Sequence, residues 1–414
     1  MSDDSMPSAM RIWDHCEVLA RCSEQPDGLT RVFLSPEQRA VNERVLSWMR
    51  DAGMQAQLDE IGNCVGRYEG ERPDLPCLML GSHLDTVRDA GKYDGMLGVV
   101  AAIECVHALN ERGKRLPFAL VIVGFADEEG VRFASTLLGS RAIAGTFDPA
   151  VLDKADVKGV SMRDALAQFG LDPTRIARAA YRREAILAYA ELHIEQGPVL
   201  EAEGLPVGVV TAINGANRLA IGIHGMAGHA GTVPMNLRQD ALAAAAECVL
   251  EIERRCGSVA ELVGTVGKLE TFPGATNVIA GRVEFTIDIR SPRDADRLAA
   301  VTDVTQALGA ICRRRGVTVD IRPMHEGRTA ACADWLMRQI GDAIAAEGLP
   351  VRTLPSGAGH DGMAIIDVAD IGMLFVRCKG GISHNPAEAI TQEDAGISAR
   401  VFLRFIENFR PAAT

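Results

Sequence analysis

Strand-length segments that are apolar throughout alternate with helical segments along most of this 414-residue chain. The apolar segments span residues 77–80, 118–125, 187–194 and 373–376. A strand that is apolar on both faces is buried on both faces, which is typical of parallel sheets covered by helices. Helix-capping patterns begin at Ser35 and at Thr391. We therefore predict an α/β sheet with helices on both of its faces.

The middle of the chain has a different order of elements. Segments 218–223, 262–269, 282–289 and 317–321 have strand character, whereas 240–255 and 294–315 have helical character. This βαββαβ order is that of a ferredoxin-like unit. We predict one α/β/α domain formed by residues 1–214 and 329–414, interrupted by an inserted α+β domain at 215–328.

Composition excludes several classes of function. The chain has 43 Lys and Arg against 55 Asp and Glu, a net charge of −12, so it is a poor candidate for binding nucleic-acid phosphates. No apolar run approaches the roughly 20 residues of a membrane span, and no signal peptide is visible at the N-terminus. The ten cysteines form no CxxC pair and indicate reduced thiols. We expect a cytoplasmic protein with no nucleic-acid or membrane partner.

Polar residues with metal-binding chemistry follow the first apolar strand. His83 and Asp85 come directly after residues 77–80, and Asp94 precedes the next helix. Catalytic groups of open α/β sheets gather at the carboxyl ends of strands, and a carboxylate often orients a metal-binding imidazole. Each residue alone also fits a simpler role: a loop histidine beside a capping aspartate, and a helix N-cap at Asp94.

Three more polar clusters follow the other apolar strands. Asp127, Glu128 and Glu129 form an acidic run after residues 118–125, where a cation would offset their repulsion and desolvation. A solvated acidic turn is the alternative. His193 lies at the end of residues 187–194, where it could equally be an ordinary half-buried histidine. His384 lies in a glycine-rich loop after residues 373–376.

These clusters together predict a metal centre. Imidazole and carboxylate ligands suit zinc or another first-row divalent ion. Five ligands exceed the needs of one open catalytic zinc site, so a two-metal centre with a bridging carboxylate fits the count better. Glu128 then remains free as the acid–base group. The five predicted ligands are His83, Asp94, Glu129, His193 and His384.

Other motifs do not support competing functions. Gly357, Gly359 and Gly362 spell GxGxxG, but no acidic residue follows at the spacing that a dinucleotide site requires. The chain contains neither a GxSxG nor an HExxH motif, so we expect neither a serine hydrolase nor a zincin.

Nine motifs follow one another along nearly the whole chain: GSHLDTV, YDGMLGV, DEEGVRF, LHIEQGPVL, GHAGTVPM, TNVIAG, DIRSP, GAGHDG and GISHNPAE. Through these motifs, in the right order, the chain resembles the amidase branch of the zinc aminoacylase/carboxypeptidase superfamily. That branch contains N-carbamoyl-L-amino acid hydrolases, β-ureidopropionase and allantoate amidohydrolases. Two departures occur. Gly362 stands where many relatives have Ala. Thr86-Val87-Arg88 replaces the Gln-Pro stretch that is common in carbamoylases and ureidopropionase, and this segment is more similar to the allantoate branch.

The resemblance implies a role for each candidate residue. It matches the five predicted ligands to the family's metal ligands, with Asp94 bridging, Glu128 as general base and Asp85 orienting His83. It places the catalytic His229 in the inserted domain, where it would reach the active site of the partner subunit. By the same resemblance, the substrate contacts fall on Gln196, His229, Asn277, Arg290 and Gly359, with His360 beside them.

The resemblance also implies the reaction. We expect a di-metal amidohydrolase with two divalent ions per subunit, zinc first, with manganese or cobalt as alternatives. The inserted domain would serve as lid and homodimer interface. The expected substrate is a ureido (N-carbamoyl) acid, with allantoate first, giving ureidoglycine, ammonia and carbon dioxide. The alternatives are an N-carbamoyl-L-amino acid hydrolase or β-ureidopropionase, and after them a dipeptidase, an aminoacylase or a non-catalytic metal-dependent binding protein.

Overall fold

The structure is a computed structural model that describes residues 6–412. Its α-helices are α1 (Ala9–Ala20), α2 (Pro36–Asp51), α3 (Met96–Glu111), α4 (Leu138–Ala144), α5 (Met162–Phe169), α6 (Val199–Ala202), α7 (Ala241–Cys256), α8 (Asp294–Arg314), α9 (Asp334–Ala346), α10 (Gly362–Ile365) and α11 (Gln392–Asn408). Its strands are β1 (Gln55–Leu58), β2 (Cys64–Tyr68), β3 (Cys77–His83), β4 (Ala119–Phe125), β5 (Ile186–Ile194), β6 (Val207–Ile213), β7 (Gly215–His224), β8 (Gly228–His229), β9 (Val263–Thr265), β10 (Leu269–Phe272), β11 (Val278–Ile279), β12 (Arg282–Ser291), β13 (Thr318–Gly327), β14 (Ala330–Ala331), β15 (Thr353–Ser356) and β16 (Ile371–Val376).

The chain divides into two compact units. Unit 1 contains the residues up to Thr211 together with those from Ala331 onward, and unit 2 contains Ala212–Ala330. The central sheet has nine strands in the order β1-β2-β4-β3-β5-β16-β6-β14, with β15 beside β6. Its four middle strands, β4, β3, β5 and β16, run parallel, whereas β2 and β6 flank them antiparallel. The carboxyl ends of the four parallel strands therefore meet at one edge of the sheet.

The four middle strands are buried at every position except Leu187 of β5. All seven residues of β3 and all seven of β4 are buried, which confirms the prediction from their apolar character. Leu78 and Leu80 of β3, with Leu120 and Ile122 of β4, contribute to a core to which α1, α2, α3, α9 and α11 also contribute. The two predicted caps are present: the side chain of Ser35 accepts from the amide of Gln38, and that of Thr391 accepts from the amide of Asp394.

Unit 2 has the predicted βαββαβ order. Its strands are antiparallel in the order β10-β12-β7-β13, and β9 also pairs with β12. Burial alternates along β12, so one face of this sheet packs against a core that includes residues of α7 and α8. The predicted strand at 262–269 proves to be two short strands, β9 and β10, which both pair with β12.

Elements at the edges of unit 1 were missed from the sequence. β1 and β2 form an antiparallel pair that extends the sheet, and β1 is polar and half exposed, so its own residues carry little strand signal. α1 was also missed, although the side chain of Ser8 caps it at the amide of Arg11.

Two further predictions concern membranes and thiols. Within residues 6–412, no helix combines the length and the apolar character that crossing a bilayer requires. All ten cysteines are free, and all except Cys22 are buried.

Candidate metal centre

The polar clusters of unit 1 lie at the ends of the parallel strands. β3 ends at His83, and His193 is the last residue but one of β5. These strands are neighbours, and the two imidazole rings lie 5.8 Å apart. The acidic run with Glu128 and Glu129 follows β4, and the loop with His384 follows β16. The parallel register of these strands brings the clusters together, as their positions after apolar segments predict.

His83, Asp94 and His193 form a first group of candidate ligands. Nε2 of His193 lies 3.2 Å and Nε2 of His83 lies 3.6 Å from the same oxygen of Asp94, Oδ1. Each Nδ1 contacts a backbone carbonyl, that of Ile194 at 2.9 Å and that of Asp85 at 3.0 Å. Because a carbonyl only accepts, each Nδ1 carries the proton and each Nε2 keeps its lone pair directed at Asp94.

Asp94, Glu129 and His384 form a second group of candidate ligands. Nε2 of His384 lies 3.2 Å from Oδ2 of Asp94 and 3.3 Å from Oε1 of Glu129. Within each of the two groups, the candidate ligand atoms lie within 4.8 Å of one another. The two oxygens of Asp94 thus face different imidazoles, which is the arrangement of a bridging carboxylate.

The electrostatics of Asp94 fit a cation site. Burial alone raises the pKa of the Asp94 carboxyl, but the three surrounding imidazoles, those of His193, His384 and His83, hold that pKa well below its usual range. The Nε2 atom of buried His193 has no hydrogen-bond partner among the described residues. An unpartnered lone pair that is kept from water is unfavourable, and a metal ion would use it. Three imidazoles and two carboxylates match the ligands of zinc-type ions.

Glu128 is half-buried, and a carboxylate oxygen of it lies within 4.8 Å of the candidate ligand atoms of His83 and Glu129. Burial raises the pKa of its carboxyl well above its usual range, and the neighbouring charge of Glu129 adds to the shift. A Cβ atom placed on Gly359 would lie 3.5 Å from Oε1 of Glu128, so Gly359 borders this carboxylate. A carboxylate with a raised pKa, bordered by a glycine that has no side chain, is suited to proton transfer as a general base.

Asp85 contacts both His83 and the acidic run. Its carbonyl accepts from Nδ1 of His83, and the nearer carboxylate oxygen lies 3.6 Å from that nitrogen. The carboxylate instead accepts the backbone amides of Glu128 at 3.0 Å and Glu129 at 3.1 Å. Asp85 therefore links the ends of two strands: its main-chain carbonyl binds His83 at the end of β3, and its carboxylate binds the acidic run after β4.

Backbone conformation constrains three positions at the centre. Gly95 has φ 73°, and a Cβ atom there would lie 2.6 Å from the ring of His83. Gln196 and His384 adopt φ of 56° and 53° without being glycine, a strain that concentrates at functional sites. Nε2 of Gln196 donates to Oδ2 of Asp94 at 3.2 Å, so this predicted substrate contact lies at the candidate centre.

Several residues at this centre were not predicted. Buried Glu191 accepts from Oγ of Ser82 and from the hydroxyl of Tyr189, and forms a third group of candidate ligands with His193 and His360. His360 is itself buried, with its ring 4.4 Å from that of His193. A carboxylate inside an apolar strand is a signal that could have identified Glu191.

The predicted residues of unit 2 lie on two parts of that unit. His229 on β8 is exposed and pairs in register with Val278, and the amide next to it, that of Ala230, donates to the carbonyl of Asn277. Nε and Nη2 of Arg290, on β12, donate to the two carboxylate oxygens of Asp288 at 3.0 and 2.8 Å. The unit thus brings His229 and Asn277 together. Separately, the planar guanidinium of Arg290 binds the carboxylate of Asp288 through two nitrogens.

Comparisons with known proteins agree with this chemistry. The model of peptidase family M20/M25/M40 matches residues 79–408. The N-carbamoyl-L-amino acid amidohydrolase of Geobacillus stearothermophilus is 41% identical over 94% of this chain and 96% of the relative. Allantoate deiminase 1 of Glycine max is 40% identical over 94% of this chain and 87% of the relative. The solved structure of a hydantoinase/carbamoylase family amidase from Burkholderia multivorans is 31% identical, covers 97% of this chain and 98% of that chain, and has a TM-score of 0.92.

Proposed function

This chain belongs to peptidase family M20/M25/M40 and is an amidohydrolase, and we propose that it cleaves a C–N bond of allantoate with two divalent ions, zinc first. The single observation that carries the two-metal proposal is the position of Asp94. Its two oxygens face the imidazoles of two ligand groups, one with His83 and His193 and one with Glu129 and His384.

The chemistry of a ureido acid explains why such a centre is needed. Two nitrogens donate electrons into the ureido carbonyl, so its carbon is a poor electrophile. Bound divalent ions supply Lewis-acid polarisation and lower the pKa of water. Glu128 would take the proton of the attacking water on its carboxylate and return it to the leaving nitrogen. Hydrolysis of allantoate with one water then gives ureidoglycine, ammonia and carbon dioxide.

The second candidate substrate is an N-carbamoyl-L-amino acid. A relative named for that activity is 41% identical to this chain, against 40% for the allantoate deiminase, so overall similarity does not separate them. Both substrates carry a ureido group and a carboxylate, and the same residues would serve both. The sequence Thr86-Val87-Arg88, which resembles the allantoate branch, supports allantoate as the first candidate.

Arg290 supports an acid rather than a neutral ureide. Its guanidinium already binds the carboxylate of Asp288 through two nitrogens, the fork geometry that matches a substrate carboxylate. We propose that Arg290, with Asn277, binds the carboxylate of the substrate, and that His229 donates to the developing oxyanion.

A screen of ammonia release tests these assignments. The metal-free chain, reloaded with zinc, manganese or cobalt, is given allantoate, N-carbamoyl-L-amino acids, ureidopropionate, dipeptides assayed for amine release, and a carbamoyl amine without a carboxylate. We expect turnover only with metal, highest kcat/KM on allantoate, and poor use of the carbamoyl amine because it lacks the carboxylate that Arg290 is proposed to bind. Faster cleavage of dipeptides would refute the proposed function, and equal use of the amine would refute the role of Arg290.

Unit 2 also carries the features of a subunit interface. Met226, Met235 and Leu237 are 65%, 77% and 70% exposed, and all lie within ten residues of His229 in the sequence. Exposed apolar side chains mark a surface that associates where they form a contiguous patch. We propose that unit 2 forms a homodimer and that His229 completes the active site of the partner subunit.

A mixing experiment tests the role of His229. His229→Ala and Glu128→Gln are each expected to be inactive. In a mixed dimer, one active site would receive both substitutions and the other would be intact. Activity should therefore return on subunit exchange and approach half that of a wild-type dimer. If mixed dimers, identified by native mass spectrometry, stay inactive, His229 does not act on the partner's site.

A further inference from the structure

Glu388 is a buried carboxylate that makes three hydrogen bonds beside the candidate metal centre. Its side chain is not a member of either ligand group, and the residue is 4% exposed. Oε1 accepts the backbone amides of Tyr93 at 2.9 Å and Asp94 at 3.1 Å. Oε2 accepts the hydroxyl of Ser383 at 2.9 Å.

These hydrogen bonds join two segments that are far apart in the chain. The segment with Asp94 follows β3, and the segment with Ser383 and His384 follows β16. Asp94 and His384 are ligands of the same group, the one completed by Glu129. One carboxylate therefore connects the main chain at one ligand to the residue that precedes the other.

Gly91 gives a second, independent sign of this connection. A Cβ atom at residue 91 would overlap the side chain of Glu388, including its carboxylate. The segment before Asp94 therefore passes directly against Glu388, and a methyl group there would displace the carboxylate. Glycine at this position permits the close approach.

The two ligand groups differ in what positions them. His83 and His193 lie on the paired strands β3 and β5, and backbone carbonyls orient their rings. Asp94 and His384 lie outside the strands and helices. Loop ligands need hydrogen bonds from neighbouring groups to hold their geometry, and such bonds affect metal affinity strongly.

We propose that Glu388 is a positioning residue that holds Asp94 and His384 in the geometry with which the second group, Asp94, Glu129 and His384, binds its ion. This inference rests on the proposed two-metal centre. It predicts that Glu388 affects the ion of the second group more than the ion of the first, because the second group takes two ligands from the segments that Glu388 joins. The first group takes only Asp94 from them, and its other ligands, His83 and His193, are positioned by the sheet.

The test is calorimetric titration of the metal-free full-length chain with zinc, together with elemental analysis of the loaded protein. We expect two ions per subunit for the wild type and one for Glu388→Ala. Glu388→Gln keeps one acceptor oxygen, so its second ion should bind about 10–100-fold more weakly. Gly91→Ala should resemble Glu388→Ala, since the added methyl group displaces the carboxylate.

Two controls separate positioning from general damage. Asp394→Asn alters another buried carboxylate of unit 1, one that accepts from the hydroxyl of Thr391 and pairs with Arg377, and it should keep both ions. In a His384→Ala background, which lacks the second group, adding Glu388→Gln should weaken the remaining ion less than Glu388→Gln alone weakens the second ion. Thermal unfolding of the metal-free variants checks that each is folded.

The outcomes distinguish this inference from the proposed function. A wild-type chain that binds a single ion would refute the two-metal centre itself. A wild-type chain that binds two ions, with unchanged second-ion affinity in folded Glu388→Gln and Gly91→Ala, would overturn the role of Glu388. A loss of first-ion affinity on adding Glu388→Gln to the His384→Ala background, as large as the loss of second-ion affinity in Glu388→Gln alone, would overturn it as well.

Discussion

Glu128→Gln is expected to lower kcat by about 10²–10⁴-fold while the chain keeps its metal ions. Glutamine preserves the size of the side chain but cannot take a proton from water. The amide of residue 128 still donates to Asp85, so the acidic run should keep its conformation. Steady-state kinetics and elemental analysis of the same preparation measure the two effects together.

Glu129→Gln is the matched control for this prediction. Oε1 of Glu129 lies 3.3 Å from Nε2 of His384, whereas Oε1 of Glu128 faces Gly359. Glu129→Gln should therefore weaken one ion, and Glu128→Gln should weaken neither. If Glu128→Gln loses metal and Glu129→Gln keeps it, the roles of the two neighbouring carboxylates are reversed.

Asp94→Asn should have the largest effect of all, abolishing turnover and weakening both ions. Asp94 is the one residue shared by the two ligand groups, and an amide supplies neither its charge nor its second oxygen ligand. Zinc should raise the unfolding temperature of the wild type, since a ligand bound only by the folded state stabilises it. We expect that rise to disappear in Asp94→Asn.

Asp127→Asn provides the comparison for Asp94→Asn. Asp127 is a buried carboxyl in the same acidic run, and it belongs to neither ligand group. Its substitution should leave both ions in place. Two ions bound with wild-type affinity by Asp94→Asn would contradict a bridging role. The metal-free fold of both variants should persist, because a unit with a hydrophobic core of this size does not need an ion to fold.

The main elements of both units followed from local patterns. Apolar runs predicted β3, β4, β5 and β16, because a strand that is buried on both faces is apolar at nearly every position and can be recognised in the sequence. The order of elements predicted the βαββαβ arrangement of unit 2. Strands β1 and β2 did not follow from the sequence, since pairing stabilises them rather than their own residues: β2 pairs with β4, and β1 pairs with β2.

The candidate ligands were also recognisable from their sequence positions. His83, Glu129, His193 and His384 each follow an apolar run, so their place at one sheet edge was predictable once the strands were taken as parallel. Their assignment as ligands stays a prediction. Asp94 was the weakest of the five from the residues alone, because an aspartate before a helix is ordinarily a cap.

What the sequence by itself determined was therefore the set of strands, their order along the chain and the chemistry at their ends. Only the tertiary structure decided which groups support that chemistry. Asp85 serves His83 through its carbonyl and the acidic run through its carboxylate, and Glu388 reaches the amide of Asp94 across 294 residues of chain. A residue's own hydrogen-bonding capacity can be read from its type. Its partners depend on which distant segments the sheet places beside it, and no local pattern encodes that.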